Sequence, residues 1–195
     1  MLIACVRKGD KYSDEYVLKL QRMVRRHLPP EAGCTFVCLT DKHIPGVLCE
    51  NLTEDLPGWW SKLEVFKLGE PTLYFDLDVV ITGNLSPVLE WQGFGIIQDW
   101  WMPGFNSSVM RLNGDEEYLL KDFRRDRMSQ YYMGDQQWIT ERMPDAKTFP
   151  AHWFPSFKAD KCFGPAPPDD ALAVIFHGEP KPCHFLSGWV KDKWD

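Results

Sequence analysis

The chain has 195 residues, 44% hydrophobic and 26% charged, with a net charge of −6, which fits one globular domain able to bury its own core. No Lys/Arg block suits a polyanion, which argues against a nucleic-acid partner, and no stretch approaches the ~20 apolar residues needed to span a bilayer. Nine Trp, twelve Phe and six Tyr suit either an aromatic core or clefts that stack on planar bases and sugar faces.

In chain order, Leu2 to Val6 reads as a buried strand. Ser13 sits at a helix N-cap, Asp14 and Glu15 occupy the first turn, and Val17, Leu20, Val24 and Leu28 follow at helical spacing until Pro29-Pro30. Cys34 to Leu39 is a second strand, with Cys34 and Cys38 on one face. Strand, helix and strand at this spacing open an α/β sheet with parallel strands. A shorter helix is expected over Trp60 to Leu68, with Leu63 and Phe66 inward, and then a strand from Thr72 to Phe75. Phe94 to Gln98 and Ser107 to Leu112 read as strands, Tyr118 to Phe123 and Gln136 to Arg142 as helices. Residues 144–168, rich in Pro and aromatics, form an irregular wall, and Ala173 to Phe176 is a late strand ending at His177. The six cysteines form no CxxC pair, against a zinc site. The opening apolar run is too short for a signal-peptide core, so a cytoplasmic location with reduced thiols is expected.

Chemistry concentrates in four places. Asp76-Leu77-Asp78 follows a buried strand directly, and ligands of open α/β sheets sit beyond the carboxyl ends of the strands. Two carboxylates at i and i+2 supply hard oxygen ligands for Mg²⁺ or Mn²⁺, the alternative being a pair of solvated turn aspartates. His177 precedes Gly178, which permits close backbone approach, and Lys181, a cation for a phosphate. By itself a His after a strand is more often a cap or a packed ring. Asn106 and Ser107, entering a strand after Asp99-Trp100-Trp101, can hydrogen-bond sugar hydroxyls or simply close a loop. Asp135 in Gly134-Asp135-Gln136-Gln137 can be an N-cap, a sugar ligand, or both.

These segments together resemble the retaining GT-A glycosyltransferases of the glycogenin and bacterial galactosyltransferase (GT8-like) type, in the family's order along most of the chain. The resemblance rests on Ser61 to Phe66, Asp76-Leu77-Asp78, Asp99 to Ser107, Asp135-Gln136 and His177 to Pro182. It implies a single Rossmann-like GT-A domain, with a nucleotide-binding half over 1–80 and a sugar and acceptor half over 81–195. Asp76, Asp78 and His177 would hold Mn²⁺ (or Mg²⁺), and Lys181 would meet the diphosphate of a UDP-sugar donor. Lys62, Asp99, Asn106, Asp135 and Gln136 would line the donor sugar, with Asp135, Gln136 and Asp99 nearest the chemistry. Leu77, Ser107 and Gly178, within the same motifs, would join them in binding the donor. Val6 to Tyr12 would receive the uridine, Tyr12 stacking on the base. The expected activity is hexose transfer with retention to a glycan, lipid or protein acceptor.

The sequence departs from the family at three points. Gly178 follows His177 directly where the family spaces them, Gln137 stands where the family often has an acid, and the chain is short. Two rivals remain. A haloacid dehalogenase-type phosphatase would use Asp76 as its nucleophile, although some seventy residues precede the motif that normally opens that family. A binding module would hold the nucleotide-sugar and transfer nothing.

Overall fold

The computed structural model describes residues 1–195. It is an α/β structure whose main sheet has seven strands in the order β3-β2-β1-β4-β7-β6-β8, with more parallel than antiparallel pairings. β1 (Leu2–Arg7) lies between β2 (Thr35–Thr40) and β4 (Thr72–Phe75) and is parallel to both, and β3 (Leu48–Asn51) continues the parallel run. β7 (Phe105–Leu112) then pairs antiparallel with β4 and with β6 (Gly95–Gln98), and the two-residue β8 (Lys147–Thr148) closes the edge. A second, two-stranded sheet joins β5 (Val79–Ile81) to β9 (Ala173–Ile175).

Period-two alternation divides the core between two faces of the main sheet. Ile3, Cys5, Cys38, Leu73 and Phe75 point into a cluster with α1 (Asp14–His27), the small sheet and α5 (Trp189–Trp194). Ala4, Val37, Leu39 and Tyr74 point the other way, under residues 58–68, α3 (Tyr118–Lys121) and α4 (Asp135–Arg142). The first helix forms as its spacing requires: Val17, Leu20, Met23 and Val24 are buried, acids fill the first turn, and Arg25, Arg26 and His27 fill the last. Ser13 is at its N-cap position, but its hydroxyl makes no capping bond.

Several expectations are corrected in detail. Residues 58–68 form a 3₁₀ helix rather than an α-helix, and every side chain from Trp60 to Phe66 is buried, Lys62 and Glu64 included. With all sides buried, no helical stripe was available to read. Asp135 is the first residue of α4 and not its cap, since Gly134 holds the cap position with φ +70°. The strands β3, β5 and β8 and the single-turn α2 (Ser86–Leu89) had no sequence signal of sufficient length. All six cysteines are free, and no helix is long and apolar enough to cross a membrane.

Two strand registers bring the chemistry-bearing residues together. Phe75 pairs with Val109, and the Asp76 amide continues that ladder by donating to the Ser108 carbonyl at 2.8 Å. The first aspartate therefore leaves β4 alongside Asn106, Ser107 and Ser108. In the small sheet Val79 pairs antiparallel with Ile175, so the chain emerging from β9 at Phe176 and His177 runs back past Leu77 and Asp78. Residues a hundred positions apart meet through this pairing.

Candidate active site

A cleft of about 360 Å³ opens at the carboxyl end of β1 and β4, where open α/β sheets place their ligands. From the first half of the chain it takes Val6, Tyr12, Lys62, Asp76, Leu77 and Asp78; from the second, Asn106, Asp135, Gln136, His177, Gly178 and Lys181. Two of the residues expected to contribute do not line it, Ser107 and Asp99.

The inner corner is built around the Lys62 ammonium. The 3₁₀ helix buries the lysine to 8% exposure and aims it at Asp76, 2.9 Å from Oδ1 and 3.1 Å from Oδ2. It also donates to Ser107 Oγ at 2.9 Å and sits 3.4 Å from Asp135. Ser107, wholly buried, donates its hydroxyl to Asp135 Oδ2 at 2.5 Å, and its amide donates to Gln136 Oε1 at 3.3 Å. Ser107 thus supports the cleft from behind. Tyr74, two residues before Asp76 and on the same side of β4, donates its hydroxyl to Asp76 Oδ1 at 2.6 Å. Asn106 Oδ1 accepts from the Ser108 amide at 3.0 Å. Burial pushes the Asp135 carboxyl above the usual carboxylate range, opposed by Lys62 and by the Ser107 bond. Burial also works against the charge on Lys62, but Asp135 and Asp76 outweigh it, and the lysine is held above its ordinary value.

The outer corner belongs to Asp78. Lys181 makes a direct ion pair with Asp78 Oδ2, and Tyr12 donates its hydroxyl to the same oxygen at 2.9 Å. Burial, and then the charge of Asp76, raise the Asp78 carboxyl above its ordinary value, while Lys181 and Tyr12 pull it back. The Tyr12 ring packs on Tyr16 at 4.8 Å, and the ammonium groups of Lys11 and Lys181 lie 5.2 and 5.7 Å from its centroid. Tyr12 therefore serves the carboxylate through its hydroxyl in this arrangement.

His177 forms the third wall. Its Nε2 lies 2.6 Å from Ser156 Oγ, and its ring stacks on Trp100 (5.3 Å, 26°) and meets Trp101 edge-on at 4.5 Å. Burial, with Lys158 next, lowers its pKa to about 4, so the ring is neutral at pH 7 and keeps a lone pair for a ligand. Asp99 lies on this side of the site. It accepts the amides of Trp101 and Met102, both at 2.8 Å, and fixes the loop that carries the two tryptophans.

Asp76, Asp78 and His177 line one cleft but are not gathered as a set: no group of three or more His, Cys, Asp or Glu side chains is placed to hold a metal ion together. Each carboxylate carries a lysine, and the imidazole is bonded through Nε2 to Ser156 Oγ. The donor types still fit a hard divalent cation. Two carboxylates lie close enough that one raises the proton affinity of the other, and a neutral imidazole shares their cleft.

Sequence reasoning missed Tyr74, which the i, i+2 rule for strands places beside Asp76. It also missed Trp59 and Tyr132, which stand at the mouth. Ser156 reaches His177 through an isolated bridge to Ile175, a contact without a local sequence signal.

No protein-family model matches the sequence, and no curated protein matches it. Solved structures do. The glycosyltransferase GlyE of Streptococcus pneumoniae TIGR4 superposes with a TM-score of 0.76 at 15% identity, over 99% of this chain and 59% of its own. The galactosyltransferase LgtC, solved with donor and acceptor sugar analogs, superposes with a TM-score of 0.70 at 13% identity, over 100% of this chain and 94% of its own. A glycosyltransferase involved in glycosylation of the major capsid of PBCV-1 gives 0.64 at 14% identity, over 92% and 95% of the two chains. The chain thus spans well under two thirds of GlyE but almost the whole of LgtC. At these identities the likeness establishes the fold, which is the GT-A fold of glycosyltransferases of the LgtC type.

Proposed function

We propose that the chain transfers a hexose from a UDP-sugar to an acceptor hydroxyl, with Mn²⁺ or Mg²⁺ and with retention at the sugar carbon. The observation that carries this reading is the single cleft holding Asp76, Asp78, Lys62, Asp135, His177 and Lys181 at the carboxyl end of β4, in a fold shared with glycosyltransferases. Residues 1–80 would serve the nucleotide and 81–195 the sugar and acceptor. The free cysteines support a reducing, cytoplasmic setting.

Asp76, Asp78 and His177 are the residues that would hold the cation. When bound, it neutralises the charge that develops on the leaving diphosphate. Lys181 would release Asp78 and turn to a phosphate oxygen, since its ammonium already stands beside the carboxylate that a cation would claim. Lys62 would hold Asp76 and Asp135 in fixed orientation, and Asp135 and Gln136, at the start of α4, would face the donor sugar. In the transfer the bond from C1 to the β-phosphate oxygen breaks, its electron pair leaving with the nucleoside diphosphate. A new bond forms from C1 to the acceptor oxygen, and the acceptor's proton leaves with the diphosphate. Asp135 and Gln136 would stabilise the positive character at C1, with front-face attack giving retention.

The phosphatase reading is not favoured. Both oxygens of Asp76 are engaged by Lys62, and Oδ1 also by Tyr74, and the neighbours in fold are glycosyltransferases. The decisive experiment is a thermal-shift series with UDP, GDP and their sugars, with and without Mn²⁺. Stabilisation that requires UDP and metal together supports the proposal. Equal shifts for any phosphate ester, or none for UDP, would overturn it. Release of UDP from the donor separates an enzyme from a binding module.

A further inference from the structure

The geometry points to a sugar-binding platform formed by Trp59 and Tyr132, which receives a pyranose ring of the acceptor. This rests on the proposal that the adjoining corner holds the donor sugar. Large aromatic side chains in water are costly to display, yet Trp59 is 59% and Tyr132 75% exposed at the mouth of the cleft. Each is held in place by its neighbour in sequence. Trp60 is buried, stacks on Phe123 (4.7 Å, 27°) and meets Tyr131 edge-on at 6.0 Å, and Tyr131 in turn packs on Trp138. Trp60 and the partly buried Tyr131 tie the two segments together, and the exposed Trp59 and Tyr132 line the same cleft.

The Trp59 indole is also fixed to the floor. A Cβ on Gly134 would come within 2.3 Å of Trp59 Nε1 and 2.6 Å of Cδ1. The indole therefore rests on the Gly134 backbone, immediately before Asp135 and Gln136. Glycine is required there twice, for this contact and for a φ of +70°. Neither Trp59 nor Tyr132 stacks on another aromatic ring, so each retains an open face. The cleft they share is also lined by the polar side chains of Asn106, Asp135 and Gln136. A ligand with apolar faces and hydroxyl edges suits this setting, and a pyranose has both. A lipid chain would need a continuous apolar wall, which the carboxylate and amides interrupt.

The test uses methyl β-D-galactopyranoside, methyl α-D-glucopyranoside and methyl α-D-mannopyranoside as acceptor probes, with UDP-sugar donors and Mn²⁺. At least one glycoside should be accepted. W59A should raise its KM about tenfold or more, with a smaller fall in kcat and the thermal shift from UDP and Mn²⁺ retained. W59F should recover most of the loss, and Y132A should act in the same direction. Saturation-transfer NMR should show the glycoside ring protons contacting the wild-type protein and losing that contact in W59A. Acceptor KM within twofold of wild type in W59A, loss of UDP binding equal to loss of acceptor binding, or no glycoside bound or accepted would each overturn the platform. Glycoside contact dependent on Trp59 in a chain that does not bind UDP would keep the platform and overturn the donor reading.

Discussion

Replacing Lys62 with methionine tests the inner corner most directly. The substitution keeps the buried stem and removes the ammonium that meets Asp76 at 2.9 Å, Ser107 Oγ at 2.9 Å and Asp135 at 3.4 Å. Asp76 retains the Tyr74 bond and some access to water, but Asp135, with 3% exposure, keeps only Ser107. Removing one partner from a buried ion pair costs about 3–5 kcal/mol, so K62M should be less stable at pH 7 by that order. The loss should depend on pH with a definite sign. Asp135 is already raised above its unfolded value, so the native state binds more protons and gains stability on acidification. Without Lys62 the carboxyl is raised further, and the window in which it takes up a proton moves toward neutrality. Across that window K62M should regain about 1.4 kcal/mol per pH unit lowered. Urea unfolding of both proteins at pH 5, 6 and 7 gives the comparison. The double variant K62M/D135N, which removes both charges, should recover much of the loss at pH 7. A K62M deficit that is under 1 kcal/mol, or equal at pH 5 and pH 7, would refute the account of this corner.

Other expectations are simpler to check. D78N should abolish the Mn²⁺-dependent part of the UDP thermal shift with little change in the unfolding midpoint of the free protein, since burial and the charge of Asp76 already oppose the ionised form that the amide replaces. S156A should free the His177 ring and weaken Mn²⁺ binding about 10–100-fold by calorimetry, the usual effect of removing a group that orients a ligand. The ring has a native pKa of about 4 against 6.5 unfolded, so the unfolded state binds more protons between those values. The contribution of this ring to stability should therefore fall as pH drops from about 6.5 toward 4, and the difference between wild type and H177Q should follow that fall. Because the ring is partly exposed, solvent screening keeps that slope shallow. G83A should cost about 1–3 kcal/mol in urea unfolding, because a Cβ there meets the Ala171 carbonyl oxygen at 2.5 Å, with Leu172 Cα at 3.3 Å behind it.

The parts of the fold legible in the sequence were those with a period. Leu2–Arg7, Asp14–His27 and Thr72–Phe75 alternate or recur as strands and helices must, and each lies within a residue or two of its expected bounds. Val79–Ile81 was lost because three apolar residues after Asp78 carry no period. Leu48–Asn51 was lost because it is an exposed edge strand with one partner. The site was legible where chemistry is local, as in Asp76-Leu77-Asp78. It was not legible where contacts depend on register, as in Ser156 with His177, or on a glycine left empty for a distant ring, as in Gly134 with Trp59.

The free site carries one more carboxylate than ammonium groups, and this bears on how it would work. Three carboxylates, Asp76, Asp78 and Asp135, face two ammonium groups, Lys62 and Lys181, within a partly dry corner. The two lysines are not equivalent. Lys62 is built into a 3₁₀ helix, is 8% exposed and touches two carboxylates and a serine, so its position is fixed by several partners at once. Lys181 comes from the segment after β9, touches Asp78 and lies over the Tyr12 ring. Under the proposed function the aspartates would meet the positive charge of a bound dication, and a lysine the negative charge of the diphosphate. Exchanging the pair Lys181–Asp78 for two new pairs would then leave both of those side chains matched, whereas moving Lys62 would leave Asp135 without a counter-charge. Under the proposed function the mobile role would fall to Lys181 and the fixed one to Lys62.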